Sequence, residues 1–359
     1  MEIKPFPAIF PNLSKIAHPD SFFQTVKEQY TVQVKQHSFL APRPPSIYIH
    51  QIRTPRGSHT GLIASVPIEA YLNGEIKGHE ETIESKSKIQ LDLFLQRQAI
   101  VKPVLLTYPN ISAIDQLILA ESGKHAPFLE LFFEEENLWH VLWEIKEDAI
   151  LQQFQALFRE KIPTAYIADG HHRISAAVAL SPSIDSVMCA FFPSSEVRIR
   201  DFNRLISAPL LQTDHILKQI AKLGEFQQLA APQKPQQKHE LTLLFREQWY
   251  RLKWKADLLQ PSSSGLPPLD TQLLNEHIFR SIFHIKDLRT TTHIKYIEGQ
   301  EPLELVHRTT TDLFDSMAFF LYPIQLAEMM AWADHGHYLP PKSTWFEPRM
   351  KNGVVVQGL

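Results

Sequence analysis

Thr164-Ala165-Tyr166-Ile167-Ala168-Asp169-Gly170-His171-His172-Arg173-Ile174-Ser175-Ala176-Ala177-Val178-Ala179-Leu180 is the stretch on which the fold assignment turns. Its first five residues are short, apolar and β-prone, and its last seven are rich in good helix formers. Asp169-Gly170 between them reads as a tight turn, so the segment predicts strand, turn, helix. The first N–H groups of a helix have no internal partner and carry the positive end of the dipole, which predicts a phosphate-like anion at this turn. Gly170 lets such an anion approach the backbone, while His171, His172 and Arg173 fall in the first helical turn, where Arg173 can grip two oxygens. Asp169 reads most simply as an N-cap; beside a nucleotide it would instead coordinate magnesium or orient a hydroxyl. Adjacent helical histidines point about 100° apart, so a zinc site at His171-His172 would need a third ligand from elsewhere, and both also read as ordinary surface residues.

Working outward, Ser46 to Arg53 and Gly61 to Pro67 predict a hairpin around Arg56-Gly57-Ser58, followed by an amphipathic helix over Thr82–Gln98 and a buried strand over Val101–Tyr108. Ile114–Ala120 and Ala149–Phe158 predict helices, and Val187–Phe192 another strand. Gln227–His239 and Pro261–Gly265 read as loops, flanking a second hairpin formed by Leu241–Phe245 and Trp249–Trp254. Asp270–Phe283 reads as helical, His293–Ile297 as strand, Phe314–Pro323 as a dense apolar segment and Gln325–Asp334 as a helix. Leu339–Arg349 is too rich in proline for regular structure.

The chain has 359 residues, 44% of them hydrophobic, enough to bury a substantial core and to form two domains or one with a large appendage. A net charge of -3 gives no global positive field for nucleic acid or an anionic membrane. Cys189 is the single cysteine, which excludes an internal disulfide and fits a reducing cytosol. The opening residues lack a signal-peptide layout and no apolar run has the length of a membrane span, so a cytoplasmic location is expected.

Two further stretches carry candidate chemistry. Gly74-Glu75-Ile76-Lys77-Gly78-His79-Glu80-Glu81-Thr82 precedes the Thr82–Gln98 helix; Thr82 reads as its cap, and His79-Glu80 pairs a phosphate donor with a general base, or is a solvated cap. Lys342-Ser343-Thr344 offers three phosphate-contacting side chains followed by Trp345 and Phe346, which would cover an adenine ring or pack a C-terminal tail onto the core. The Gly-rich prefix of a P-loop is missing.

Together, Ile3–Ala8, Lys77–Thr82, Pro103–Tyr108, Ala168–Arg173, Asn203-Arg204 and Pro341–Arg349 resemble the bacterial and archaeal domain-of-unknown-function family one thousand and fifteen. That family in turn is similar to the free-serine kinases and, more remotely, to the ParB and sulfiredoxin superfamily. The shorter kinases carry a His-Glu element, a helix, an apolar strand and an Asp-Gly-x-His-Arg turn in that order. This chain keeps the order and inserts a segment near 110–161. The resemblance implies a mixed α/β fold with a ParB/sulfiredoxin-like core over 1–210 and a C-terminal α+β region over 211–359 whose final loop returns to the site. It also implies a kinase acting on free serine or a similar hydroxyl metabolite, with Mg²⁺ and ATP or ADP, and the alternatives are a regulatory nucleotide-binding module or a phosphometabolite-binding protein. Glu80 would be the base and His79 its neighbour in catalysis. Asp169 would contact substrate or Mg²⁺. Gly170, His171, His172 and Arg173 would cradle phosphate with Lys77, Thr82, Lys342, Ser343 and Thr344. The family's Pro-Tyr-Asp-Val element has no full counterpart at Ala17–Ser21, and Lys86 and Lys88 stand where an arginine is usual.

Overall fold

A computed structural model of the chain describes all residues except 208–212, 262–264, 286, 289–290, 300 and 313–315. It divides into two compact units, Met1–Arg198 with Pro348–Leu359, and Ile199–Glu347. The mixed α/β class expected from the sequence is observed in the first unit, where helices pack on an eight-stranded sheet. The predicted hairpin is β1 (Ile47–Thr54) and β2 (Gly57–Pro67), paired antiparallel with Tyr48 opposite Ile63 and closed by Pro55-Arg56. The remaining strands are β3 (Ile76–Lys77), β4 (Val104–Tyr108), β5 (Leu129–Phe133), β6 (Leu138–Ile145), β7 (Ala165–Asp169) and β8 (Ser186–Pro193). Their spatial order is β3-β7-β4-β8-β2-β1-β6-β5. Central strands β4 and β8 are buried along their whole length or nearly so, which explains why both read as continuous apolar runs rather than alternations.

The longer helices of this unit are α1 (Pro19–Lys35), α2 (Glu84–Arg97), α3 (Ser112–Lys124), α4 (Asp148–Lys161) and α5 (His171–Leu180). Helix α1 has no counterpart among the sequence expectations, although Pro19 opens it and Phe23, Val26 and Tyr30 form a buried stripe at helical spacing. The inserted segment near 110–161 also holds more than the two expected helices. Its β5–β6 hairpin lies at the sheet edge, with β6 pairing to β1 from Ile47↔Ile145 to Arg53↔Trp139. A small three-stranded sheet places Val356–Gly358 between Ala8–Ile9 and Ala99–Ile100, and the Gly353 N–H donates to the Val101 carbonyl at 2.6 Å. The last residues of the chain are thereby held beside the start of β4.

The second unit is built on six antiparallel strands: β9 (Phe202–Ser207), β10 (Gly224–Leu229), β11 (Glu240–Phe245), β12 (Gln248–Trp254), β13 (Ile294–Glu298) and β14 (Ser316–Leu321). They lie in the order β10-β12-β11-β14-β9-β13. The hairpin expected at Leu241–Trp254 is β11–β12, whereas part of the stretch expected as loop, Gln227–Leu229, belongs to edge strand β10. The apolar run expected over Phe314–Pro323 is β14 in its described part, and the Ser262–Ser264 loop lies outside the described residues. Trp345–Glu347, expected to be irregular, is a short strand. No helix among the described residues is long and apolar enough to cross a membrane.

Inside the first sheet, His50 of β1 and His140 of β6 are fully buried, and their rings meet at 2.8 Å from Nε2 to Nδ1. Burial drives both toward the neutral form, His50 down to about 3 and His140 well below its ordinary value. Unfolding returns each to its ordinary value of 6.5. The stabilisation is therefore complete above that value and is lost as pH falls below it, at up to about 1.4 kcal/mol per histidine per pH unit. Thermal melts of wild type should show the melting temperature dropping steeply from about pH 6.5 to about pH 5, and a His50→Gln/His140→Gln variant should show a flatter profile.

Candidate anion-binding site

Strand β7 delivers Asp169 to its C-terminal end, and the chain turns at once into helix α5. The N-cap is Gly170, with φ +113°, and no side chain caps the helix, which corrects the expectation that Asp169 serves as the cap. A β-carbon at Gly170 would stand 2.6 Å from Arg173 Nη2 and 2.7 Å from its Nε, because the Arg173 side chain folds back over the turn. Glycine is required here both for the left-handed backbone and for that close approach.

The Asp169 carboxylate is instead a meeting point for cations. Its Oδ2 accepts a hydrogen bond from Lys102 Nζ at 3.2 Å and lies 3.1 Å from Arg173 Nη2. Arg349, carried in by the C-terminal segment, acts electrostatically on both Asp169 and Lys102. Burial alone would raise the Asp169 carboxyl, but Arg173, Lys102 and Arg349 outweigh it and hold the group well below the usual carboxylate range. This holds although the side chain keeps 34% of its surface open. Burial, aided by the two guanidinium groups and opposed by Asp169, lowers the Lys102 ammonium to about 8.

Arg173 is only 8% exposed, yet its Nε and Nη2 have no hydrogen-bond acceptor, the contact of Nη2 with Asp169 being an ion pair outside hydrogen-bond geometry. Buried guanidinium donors left in this state are costly unless an acceptor arrives. The site therefore has the donors and the charge to take an anionic oxygen at the start of α5.

Beside this turn lies the Gly78-His79-Glu80 loop. Strand β3 runs parallel to β7, with Lys77 opposite Tyr166, so the loop emerges level with Ile167 and the turn. The His79 backbone N–H donates to His171 Nε2 at 3.2 Å, which assigns the ring proton to Nδ1, and Nδ1 faces Glu80 Oε2 at 4.0 Å. The His79 ring packs edge-on against His171, with centroids 4.6 Å apart. Burial lowers His79 to about 4 despite a hydrogen bond to the Ile167 backbone and the charge of Asp169. Burial and the neighbouring His79 likewise keep His171 well below its ordinary value. Both rings are buried and neutral, and Glu80, 36% exposed on its side chain, is the member of the loop that reaches solvent.

His172 Nδ1 lies 3.2 Å from Ser87 Oγ in the first turn of α2, so the starts of α2 and α5 sit side by side. Thr82 is exposed and outside α2, whose N-cap is Ile83 without a side-chain bond; the expected Thr82 cap is absent because the helix begins two residues later. Lys342, Ser343 and Thr344 belong to the second unit. There Lys342 Nζ lies 5.1 Å from the Phe202 ring centroid, Ser343 Oγ donates to the Pro340 carbonyl at 2.6 Å, and Thr344 is buried.

The donor set around Asp169 does not fit the Mg²⁺ ion that the resemblance implies there. Its Oδ2 already joins two cations, Arg349 adds positive charge, and no group of three or more His, Cys, Asp or Glu is gathered among the described residues.

Residues 8–276 match the model of the family described as Protein of unknown function (DUF1015). The chain belongs to this family. No functionally curated protein matches it in sequence. Among solved structures, the DUF1015 chain is similar to SbnI with C-terminal truncation from Staphylococcus aureus, at 12% identity and a TM-score of 0.44, over 81% of this chain and 85% of that one. It is also similar to a mutant free serine kinase in complex with AMP, at 11% identity and a TM-score of 0.40, over 81% and 92%. A conserved hypothetical protein from Pyrococcus furiosus matches at 10% identity and a TM-score of 0.37, over 81% and 95%.

Two substitutions test the turn. Gly170→Ala forces a left-handed backbone on a residue with a β-carbon and should lower stability by about 1–2 kcal/mol, read as a reduced melting temperature. Arg173→Ala should weaken phosphate or nucleotide binding by about 1.5–3 kcal/mol in calorimetry, the range for hydrogen bonds to charged groups. Unchanged affinity would remove Arg173 from the site.

Proposed function

We propose that this DUF1015 chain is a nucleotide-dependent small-molecule kinase that phosphorylates a hydroxyl metabolite, with free serine as the acceptor that the motif order suggests. The observation that carries the reading is the pairing of two devices at one turn. Arg173 presents buried, unsatisfied donors at Gly170, and the Glu80 carboxylate stands 4.0 Å from the His171 ring of the same turn. A cradle without a base would serve a binding protein; a carboxylate set beside the cradle serves transfer.

In the proposed step the acceptor O–H gives its proton to the Glu80 carboxylate as its oxygen forms a bond to the terminal phosphorus of the nucleotide. The bond from that phosphorus to the bridging oxygen breaks, and the shortened nucleotide leaves with the electron pair. Arg173 and the first N–H groups of α5 hold the phosphoryl oxygens in place. Magnesium would arrive on the nucleotide's own phosphates, with no protein carboxylate assigned to it.

Incubating the pure protein with Mg²⁺, ATP or ADP and a pool of amino acids and polyols should yield a phosphorylated hydroxyl compound. Nucleotide hydrolysis without such a product would favour a regulatory module, and binding without turnover a phosphometabolite-binding protein. Glu80→Gln separates the roles further. A glutamine keeps size and hydrogen bonding but takes no proton, so turnover should fall by about 10²–10⁴ while nucleotide affinity stays close to wild type. A parallel collapse of melting temperature and affinity would make Glu80 structural and deprive the mechanism of its base.

A further inference from the structure

Arg173 and Asp169 meet without a hydrogen bond. Nη2 of Arg173 lies 3.1 Å from Asp169 Oδ2 outside hydrogen-bond geometry, and its Nε and Nη2 are buried with no acceptor. A carboxylate this close to an empty guanidinium fork would lower its energy by turning to fill it, because buried donors left unpaired are costly. The hydrogen bond that Asp169 Oδ2 accepts comes instead from Lys102 Nζ at 3.2 Å, and the Lys102 side chain is itself only 18% exposed. Backbone pairing fixes this choice of partner. Strands β7 and β4 run antiparallel with Leu106 opposite Ile167 and Leu105 opposite Asp169, so Ala168 is an extra residue immediately before the turn, and a bulge of this kind re-aims the side chain beside it. The same pairing sets the end of β7 beside the residues that lead into β4. There Lys102 stands between Val101, whose carbonyl accepts the Gly353 N–H at 2.6 Å, and Pro103, whose ring disfavours helical backbone at Lys102.

We propose that Lys102 is a positioning residue of the phosphate site: by engaging the Asp169 carboxylate in a hydrogen bond, it keeps that carboxylate from filling the Arg173 fork and leaves the fork open to a phosphate oxygen of a nucleotide. The proposal rests on the reading of Gly170–Arg173 as a phosphate cradle and adds a residue that lies outside the turn motif. Two carboxylates, Asp169 and Glu80, stand beside the turn that carries Arg173. What the turn offers an anion therefore depends on which donors are kept free and not on an excess of positive charge. Without Lys102, Asp169 would need only a small rotation to bond Arg173, and an incoming phosphate would have to displace it. The work is divided between the two cations by their shapes, a point charge that holds one carboxylate oxygen and a planar fork that suits two oxygens of a phosphate.

The test is a double-mutant cycle read by calorimetric titration of the full chain with ADP in the presence of Mg²⁺. Lys102→Met should weaken ADP binding at least about tenfold, the scale of one hydrogen bond to a charged group. Asp169→Asn should bind ADP at least as tightly as wild type. Added to Lys102→Met, Asp169→Asn should recover most of the loss, so that its gain in affinity is at least about threefold larger there than in wild type, the mark of two residues acting through one interaction. Equal gains in the two backgrounds would mean that Lys102 and Asp169 act on ADP as independent charges, and would overturn the proposal. A lowered melting temperature of Lys102→Met with unchanged ADP affinity would make the pair merely structural and overturn it as well. If Arg173→Ala weakens ADP binding while the cycle is additive, the cradle stands and only the role of Lys102 falls. If Arg173→Ala has no effect, or wild type binds no ADP, the cradle reading falls and takes the proposal with it.

Should Lys102→Met fail to fold, one arm of the cycle decides without it. With Asp169→Asn as the reference, no carboxylate is left to be held at that position, and adding Lys102→Met should cost less than about threefold in ADP affinity. A larger loss in that background would make Lys102 a direct phosphate ligand and overturn its positioning role.

Discussion

The shared oxygen of Asp169 is the constraint on which the first unit's organisation around the turn depends. Lys102, two residues ahead of β4, and Arg173, in the first turn of α5, meet on that oxygen, and the charge of Arg349 acts on the same carboxylate. Lys102 and Arg173, both mostly buried, would be expensive to bury alone, and together they would repel one another. A single carboxylate at the end of β7 makes the arrangement tolerable, and by itself it does not neutralise it. Residual positive charge at the mouth of a helix is the state in which an anion gains most by binding.

The strand, turn and helix at Thr164–Leu180 were legible because three local signals agree: β-prone residues, a glycine able to take φ +113°, and a run of helix formers. The two hairpins were legible for the same reason, each being short-range. What stayed hidden was long-range or masked by charge. Nothing local links Arg349 to Asp169, since the link depends on a strand formed by the last residues of the chain. Lys102 left a faint signal, a lone cation inside the apolar run from Ile100 to Tyr108. The β5–β6 hairpin alternates clearly at Leu129, Leu131 and Phe133, but the acidic Glu134-Glu135-Glu136 turn disguises it as a solvated stretch. Thr82 failed as a cap through competition of a different kind, because α2 starts at Glu84 and the intervening residues follow the loop that carries Glu80.

In the second unit, the Lys342-Ser343-Thr344 stretch shows a preformed backbone. Arg204, almost fully buried, donates from Nη2 to the Lys342 carbonyl at 3.1 Å and from Nη1 to the Phe202 carbonyl at 2.6 Å. Lys342 itself holds a left-handed φ of +57°, uncommon for a residue with a long side chain. Burial lowers Arg204 to about 10 although Tyr296 and Asp201 pull the other way. The buried Arg204 thus fixes the loop at the Lys342 carbonyl.

The two carboxylates beside the Gly170 turn differ in what surrounds them. Asp169 is held by formal cations, so protonating it would cost its interactions with Lys102, Arg173 and Arg349 at once. It is therefore suited to organising charge and poorly suited to taking a proton. Glu80 faces the ring of His171, which burial keeps neutral and which the His79 N–H fixes with its proton on Nδ1. A β-carbon at Gly78 would lie 3.1 Å from His171 Cδ2, a tight contact that the glycine avoids. On the His171 side Glu80 thus meets a neutral ring and not a formal cation. His79 and His171, which the sequence offers as phosphate donors, are instead buried, neutral rings packed edge-on against each other beside the Glu80 carboxylate.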